Sequence, residues 1–245
     1  MTFWINARNA LVVAVVSLFC SQAMAGVVIT GTRIVYPAGQ KEVSVKLNNN
    51  GSLPALVQSW IDTGDAKADP TNSKAPFMLS PPVSRIDPGK GQTLRLMFLG
   101  ADLPTSKESV FWLNVLEIPP KAQGGGDANV LQMAFRSRIK IFYRPAQLPG
   151  KSLDAPAQLQ WSVVKVGSGF ALRARNSSPY YVSTVGVALV AGATRYPSED
   201  GMVAPGESHD YPLPTLRSEP GSAQVEFEAI NDYGALVKHN ASLAR

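Results

Sequence analysis

Hydrophobic and polar positions alternate with a period of two over most of this chain, in short runs cut by glycine, proline and asparagine. That period sends successive side chains to opposite faces, so each run reads as a β-strand with one buried and one exposed face. The longest run is residues 129–144, NVLQMAFRSRIKIFYR. It puts Leu131, Met133, Phe135, Ile139 and Ile141 on one side and Gln132, Arg136, Arg138 and Lys140 on the other. It ends at Arg144-Pro145, where proline removes a donor and stops the ladder.

Six further extended segments precede it: 27–36, 42–47, 55–61, 77–79, 93–98 and 110–118. Turns are expected at Asn48-Asn49-Asn50-Gly51 and Ile86-Asp87-Pro88-Gly89, a polar loop over 62–76, and Trp60 as an anchor of the core. Seven strands in about 120 residues fit an immunoglobulin-like sandwich. After a linker at Gln147-Leu148-Pro149-Gly150-Lys151, a second all-β block has candidate strands at 159–166, 169–176, 181–189, 195–196, 208–211, 224–230 and 236–242. The expected organisation is all-β, with two immunoglobulin-like β-sandwich domains in tandem, 26–147 and 148–245, and no internal sequence repeat.

Residues 1–25 read as a signal peptide: Arg8 in the n-region, an apolar stretch from Ala10 to Phe19, and Ala23-Met24-Ala25 as the cleavage site. The apolar stretch is shorter than the roughly 20 residues needed to span a bilayer, so export without membrane insertion is expected. The only cysteine, Cys20, lies inside this leader. A disulfide-free mature chain must be held by packing. Removing Arg8 leaves 22 basic against 18 acidic residues, a net +4, which says little about partners.

Catalytic chemistry finds little support. His209 and His239 are the only histidines, no thiol remains after cleavage, and no metal-ligand spacing occurs, so no enzyme activity, cofactor or metal is expected. The tract Arg136, Arg138, Lys140, Arg144 lacks the aromatic platform of a nucleic-acid site. Taken on pattern alone, Leu131, Met133 and Phe135 read more readily as ordinary core than as an exposed edge. Arg33, Lys140, Glu108, Arg144 and Asp232 read as solvated surface charges.

The segments Gly31-Thr32-Arg33-Ile34-Val35-Tyr36-Pro37, Phe111-Trp112-Leu113-Asn114-Val115, Ile118-Pro119-Pro120, the 129–144 run and Ile230-Asn231-Asp232-Tyr233-Gly234 together resemble the periplasmic pilus chaperones of the chaperone-usher pathway, the PapD-like family, in its short-loop branch. The resemblance covers essentially the whole mature chain. It implies a boomerang arrangement of the two domains. It also implies that Leu131, Met133 and Phe135 complete a pilin subunit by donor-strand complementation, and that Arg33 and Lys140 hold the subunit's C-terminal carboxylate. Glu108, Arg144 and Asp232 would make charged contacts between the domains. Lys140 has the opposite parity to the apolar triad, so a bulge or a division of labour between faces is expected.

The function so implied is a periplasmic, ATP-independent chaperone that folds and caps pilin subunits and delivers them to an outer-membrane usher. An exported immunoglobulin-like binding module or adhesin is the alternative. A self-capping oligomer that hides the 131–135 edge in the free protein is a further reading.

Overall fold

The computed structural model describes residues 26–120 and 133–244. The expected signal peptide, the Gly124-Gly125-Gly126 link and Leu131 lie outside the described residues. The all-β expectation holds: among the described residues the only helix is one 3-10 turn, Ala155–Gln158, beside seventeen strands.

Nine of these strands form the first sandwich. One sheet joins β1 (Val27–Ile29), β3 (Val43–Asn49), β7 (Gly91–Phe98) and β5 (Phe77–Ser80), in that order. The other joins β2 (Arg33–Pro37), β9 (Phe135–Arg144), β8 (Ser109–Ile118), β4 (Ala55–Asp62) and β6 (Val83–Ile86). The first extended segment therefore divides between the sheets. Between its halves Gly31 adopts a φ of 97°, a conformation open to glycine and strained for other residues. β6 comes from a segment with no alternating pattern of its own, and it is held by pairing with β4.

β8 is central and nearly continuous in carbon because both its faces are covered: Phe111, Leu113 and Val115 enter the core, while Trp112 lies beneath Arg138 and Lys140 on the outer face. Tyr36, Leu47, Leu94, Leu96, Leu113 and Ile141 are fully buried between the sheets, and each contributes on the order of 1.5–3 kcal/mol by leaving water. Trp60 is not among these core residues. It has the parity of Leu56, Gln58 and Asp62 on β4, so it lies on the outer face of the sheet, where its Nε1–H donates to the Ala68 carbonyl at 3.2 Å. A tryptophan in an apolar run can be buried under a loop as well as between sheets, and loop 63–76 covers it here.

The second sandwich stacks β10 (Gln160–Val166), β11 (Gly169–Arg175) and β15 (Ser208–Leu213) on a sheet of β12 (Val182–Ala191), β13 (Thr194–Pro197), β14 (Gly201–Val203), β16 (Gln224–Ile230) and β17 (Leu236–Ser242). Trp161 packs on Tyr211 and Phe227 at its centre. Both sandwiches share one polar device that the sequence does not advertise. Asn49 Oδ1 accepts from the Gly51 N–H, while its amide donates to the carbonyls of Leu53 and Ile86. Asn176 repeats this with Ser178, Tyr180 and Val203. Each buried asparagine thus satisfies backbone groups of a turn that would otherwise be left unpaired.

Candidate functional site

β9 is the element that positions the site. It pairs with β8 without interruption from Glu117↔Phe135 to Ser109↔Tyr143, so no bulge intervenes and parity is kept along the strand. Ile139, Ile141 and Tyr143 face the sandwich core, while Arg136, Arg138, Lys140, Phe142 and Arg144 share the outer face. On its other edge β9 pairs in parallel with β2, but only from Arg33↔Lys140 to Pro37↔Arg144. The stretch from Phe135 to Ile139 has no strand on that edge among the described residues. Met133 and Phe135 are 55% and 61% exposed there. Met133 lies just before the strand begins.

Arg33 and Lys140 are register partners on one face, two cations side by side. Arg33 Nη1 donates to the Ile230 carbonyl of the second sandwich at 2.8 Å, its guanidinium lies 5.5 Å from the centre of the Phe142 ring, and its Nε has no partner among the described residues. Lys140 lies 5.3 Å from the centre of the Trp112 ring and makes one long hydrogen bond, 3.5 Å, to Ser183 Oγ. Neither has an ion-pair partner among the described residues. Burial, and then the adjacent Arg33 charge, lower the Lys140 pKa to about 8. Burial also lowers that of Arg33, against the pull of Asp232 and Glu108.

Arg144 meets Glu108 and Asp232. Its Nε donates to Glu108 Oε1 at 2.6 Å, and its two terminal nitrogens form a fork on Asp232 at 2.7 and 2.9 Å. Glu108, buried at the foot of β8, also accepts from the Tyr181 N–H at 2.8 Å, and Ser152 Oγ donates to Asp232 at 2.7 Å. Burial raises the Glu108 pKa against the influence of Arg144. For Asp232 burial also works upward, but the bonds from Arg144 and Ser152 prevail and its pKa is lowered. The three residues therefore form one interdomain cluster, lining a cavity with Arg33, Phe142 and Tyr181.

The sequence profile described as pili and flagellar-assembly chaperone, PapD N-terminal domain, matches residues 26–149. That of the pili assembly chaperone PapD, C-terminal domain, matches 154–241. The chain belongs to the PapD family of pilus-assembly chaperones. Family relatives include the probable fimbrial chaperone YadV of Escherichia coli strain K12, 44% identical over 246 residues, with 99% of this chain and 100% of the relative covered. The chaperone protein FimB/FhaD of Bordetella pertussis is 42% identical, with 96% and 95% covered. A crystal structure of the YadV chaperone superposes with a TM-score of 0.78 at 45% identity, covering 89% of this chain and all of that one. The PapD family consists of assembly chaperones rather than enzymes.

Sequence reasoning missed a network beside Lys140. Arg138 pairs with Asp62, and Asn114 bridges Asp62 to Arg136, which also binds the carbonyls of Ala66 and Ala68. The only signal was parity: Arg136 and Arg138 fall on the face of Lys140 with no acidic residue nearby in sequence.

Proposed function

We propose that this chaperone captures pilin subunits by strand addition to the open edge of β9 and releases them to an outer-membrane usher. The observation that carries this reading is the half-covered edge: among the described residues β2 occupies β9 from Lys140 onward and leaves 135–139 open to a guest, with Arg33 and Lys140, neither of them in an ion pair there, at the junction. A guest strand whose terminal carboxylate meets Arg33 and Lys140 while its body lies along 135–139 must run parallel to β9, in line with β2. Backbone bonds to the edge supply affinity, and the cations fix register through charge-assisted bonds. The exposed Met133 and Phe135, with Leu131 before them, would fill a groove in the subunit. Three such side chains contribute roughly 5 to 8 kcal/mol before association costs. No nucleotide is needed, because a better-packed strand from the next subunit can displace the chaperone's.

The apolar leader read in the sequence supports a periplasmic site for this activity, with cleavage expected after Ala25. Glu108, Arg144 and Asp232 would hold the interdomain angle that the guest meets, with the domain boundary near Gln147.

The test is a periplasmic pull-down from the native host with wild type and Arg33→Ala, with retained proteins identified by mass spectrometry. Small β-rich subunits retained by wild type and lost by the variant are the expected result. Equal retention by both would remove the anchor, and ligand binding without any subunit would favour the adhesin reading.

A further inference from the structure

Arg33, Lys140, Trp112 and Asp62 form a row across four neighbouring strands, all on the outer face of one sheet. The row holds two cations, one ring and one carboxylate, yet the carboxylate does not pair with either cation. Arg138, two residues before Lys140 and on the same face, takes it instead. Its Nη2 donates to Asp62 Oδ1 at 2.6 Å and its Nε to Oδ2 at 3.2 Å. The guanidinium also lies over the Trp112 ring, 4.0 Å from its centre. Asn114 and the Gly64 N–H occupy the remaining lone pairs of Asp62, each at 2.7 Å. Asp62 itself is 1% exposed, and its other close partners are uncharged, so removing Arg138 leaves it with no cation nearer than Arg136 among the described residues.

A buried carboxylate that loses its cation is driven toward the next one. Arg136 approaches Asp62 to 3.9 Å, but its donors are committed to Asn114 Oδ1 and the carbonyls of Ala66 and Ala68, and it lies over Trp60. Lys140 is the alternative. Its backbone is two strand spacings from that of Asp62, about 10 Å, with the Trp112 ring between them and Arg138 covering that ring. The charged groups around Lys140 are Arg33 from β2, Arg138 on β9 and Asp62 from β4, while β8 and β12 offer the uncharged Trp112 and Ser183.

We propose that Arg138 is a positioning residue for capture: by holding Asp62 it keeps Lys140 unpaired and open to a guest's terminal carboxylate. This rests on the anchor reading of Lys140. Without Arg138, Asp62 becomes an internal competitor for the ammonium that the guest needs.

The experiment compares binding of a synthetic alternating Val-Thr peptide ending in a free carboxylate with that of its C-terminal amide, between roughly pH 6 and 10, which spans a lowered lysine pKa. The proteins are wild type, Lys140→Ala, Arg138→Ala and Arg138→Ala/Asp62→Asn, each checked for folding by circular dichroism. Wild type prefers the acid and Lys140→Ala loses the preference. Arg138→Ala loses about tenfold of it, the scale of one competing ion pair, and what remains persists to higher pH because Lys140 has gained an acidic partner. The double variant recovers the preference. Full preference in Arg138→Ala, or a double variant as weak as the single, overturns the proposal while leaving the anchor in place. No acid preference in wild type overturns the anchor reading itself, and one retained in full by Lys140→Ala removes Lys140 from the anchor and overturns the proposal with it.

Discussion

Lys140 is held in a costly state. Its ammonium is mostly withdrawn from water beside a second cation, with one long hydrogen bond in return. The sign of the pH effect follows from linkage. The folded pKa of about 8 lies below the ordinary lysine value of 10.5, so the cost is fully present below pH 8 and is relieved as pH rises from there toward 10.5. Lys140→Met should therefore raise stability at neutral pH by about 2 kcal/mol while abolishing capture; chemical denaturation and peptide binding measure the two. In the wild type, subunit capture should weaken above pH 8, by up to about tenfold per unit, because a carboxylate guest needs the protonated amine and binds it with uptake of a proton. Calorimetry in buffers of different ionisation enthalpy would read that proton directly. In the sequence Arg33 and Lys140 are separated by more than a hundred positions and are linked only by the family resemblance; their parallel register, and the burial that makes Lys140 costly, come from the fold.

At the scale of elements, strands with strong alternation or a long apolar run were legible and those with neither were not. β3 and β7 announce themselves by alternation and β8 by its apolar run, whereas β6 and β14 exist because a neighbour offers them an edge. Trp60 shows the limit of an apolar run: composition suggested burial, but only the pairing of β4 decides on which face. The parity of β9 was readable, and the unbroken ladder with β8 gives its two faces different environments, with no bulge required. Met133→Asp and Phe135→Asp change exposed side chains beyond the reach of β2, so each should leave thermal stability within about 0.5 kcal/mol. Each should nevertheless block capture by carrying an unpaired charge into an apolar groove. Normal subunit retention by both would return these residues to an ordinary surface.

Across the whole molecule, Arg144 joins the sandwiches by bonding Glu108 of the first and Asp232 of the second. Removing it strands the buried Glu108 and frees Asp232, so Arg144→Ala should cost about 3–5 kcal/mol, measured by denaturant titration. Asp232 titrates below the ordinary carboxylate value, so its contribution is fully present above that value and is lost as pH falls through the depressed one. Small-angle scattering on acidification should show the domains loosening in that window, and Asp232→Asn should loosen them at neutral pH.

The half-covered edge of β9 has one more consequence under the anchor reading. Backbone amides and a terminal carboxylate are common to every polypeptide, so the site measures where a chain stops. A guest lacking its last residue could bring its carboxylate to Lys140 only by sliding one position, which would turn every alternate side chain to the wrong face. The edge and its cations would then act together as a proofreader of chain length, rejecting clipped subunits before they reach the fibre.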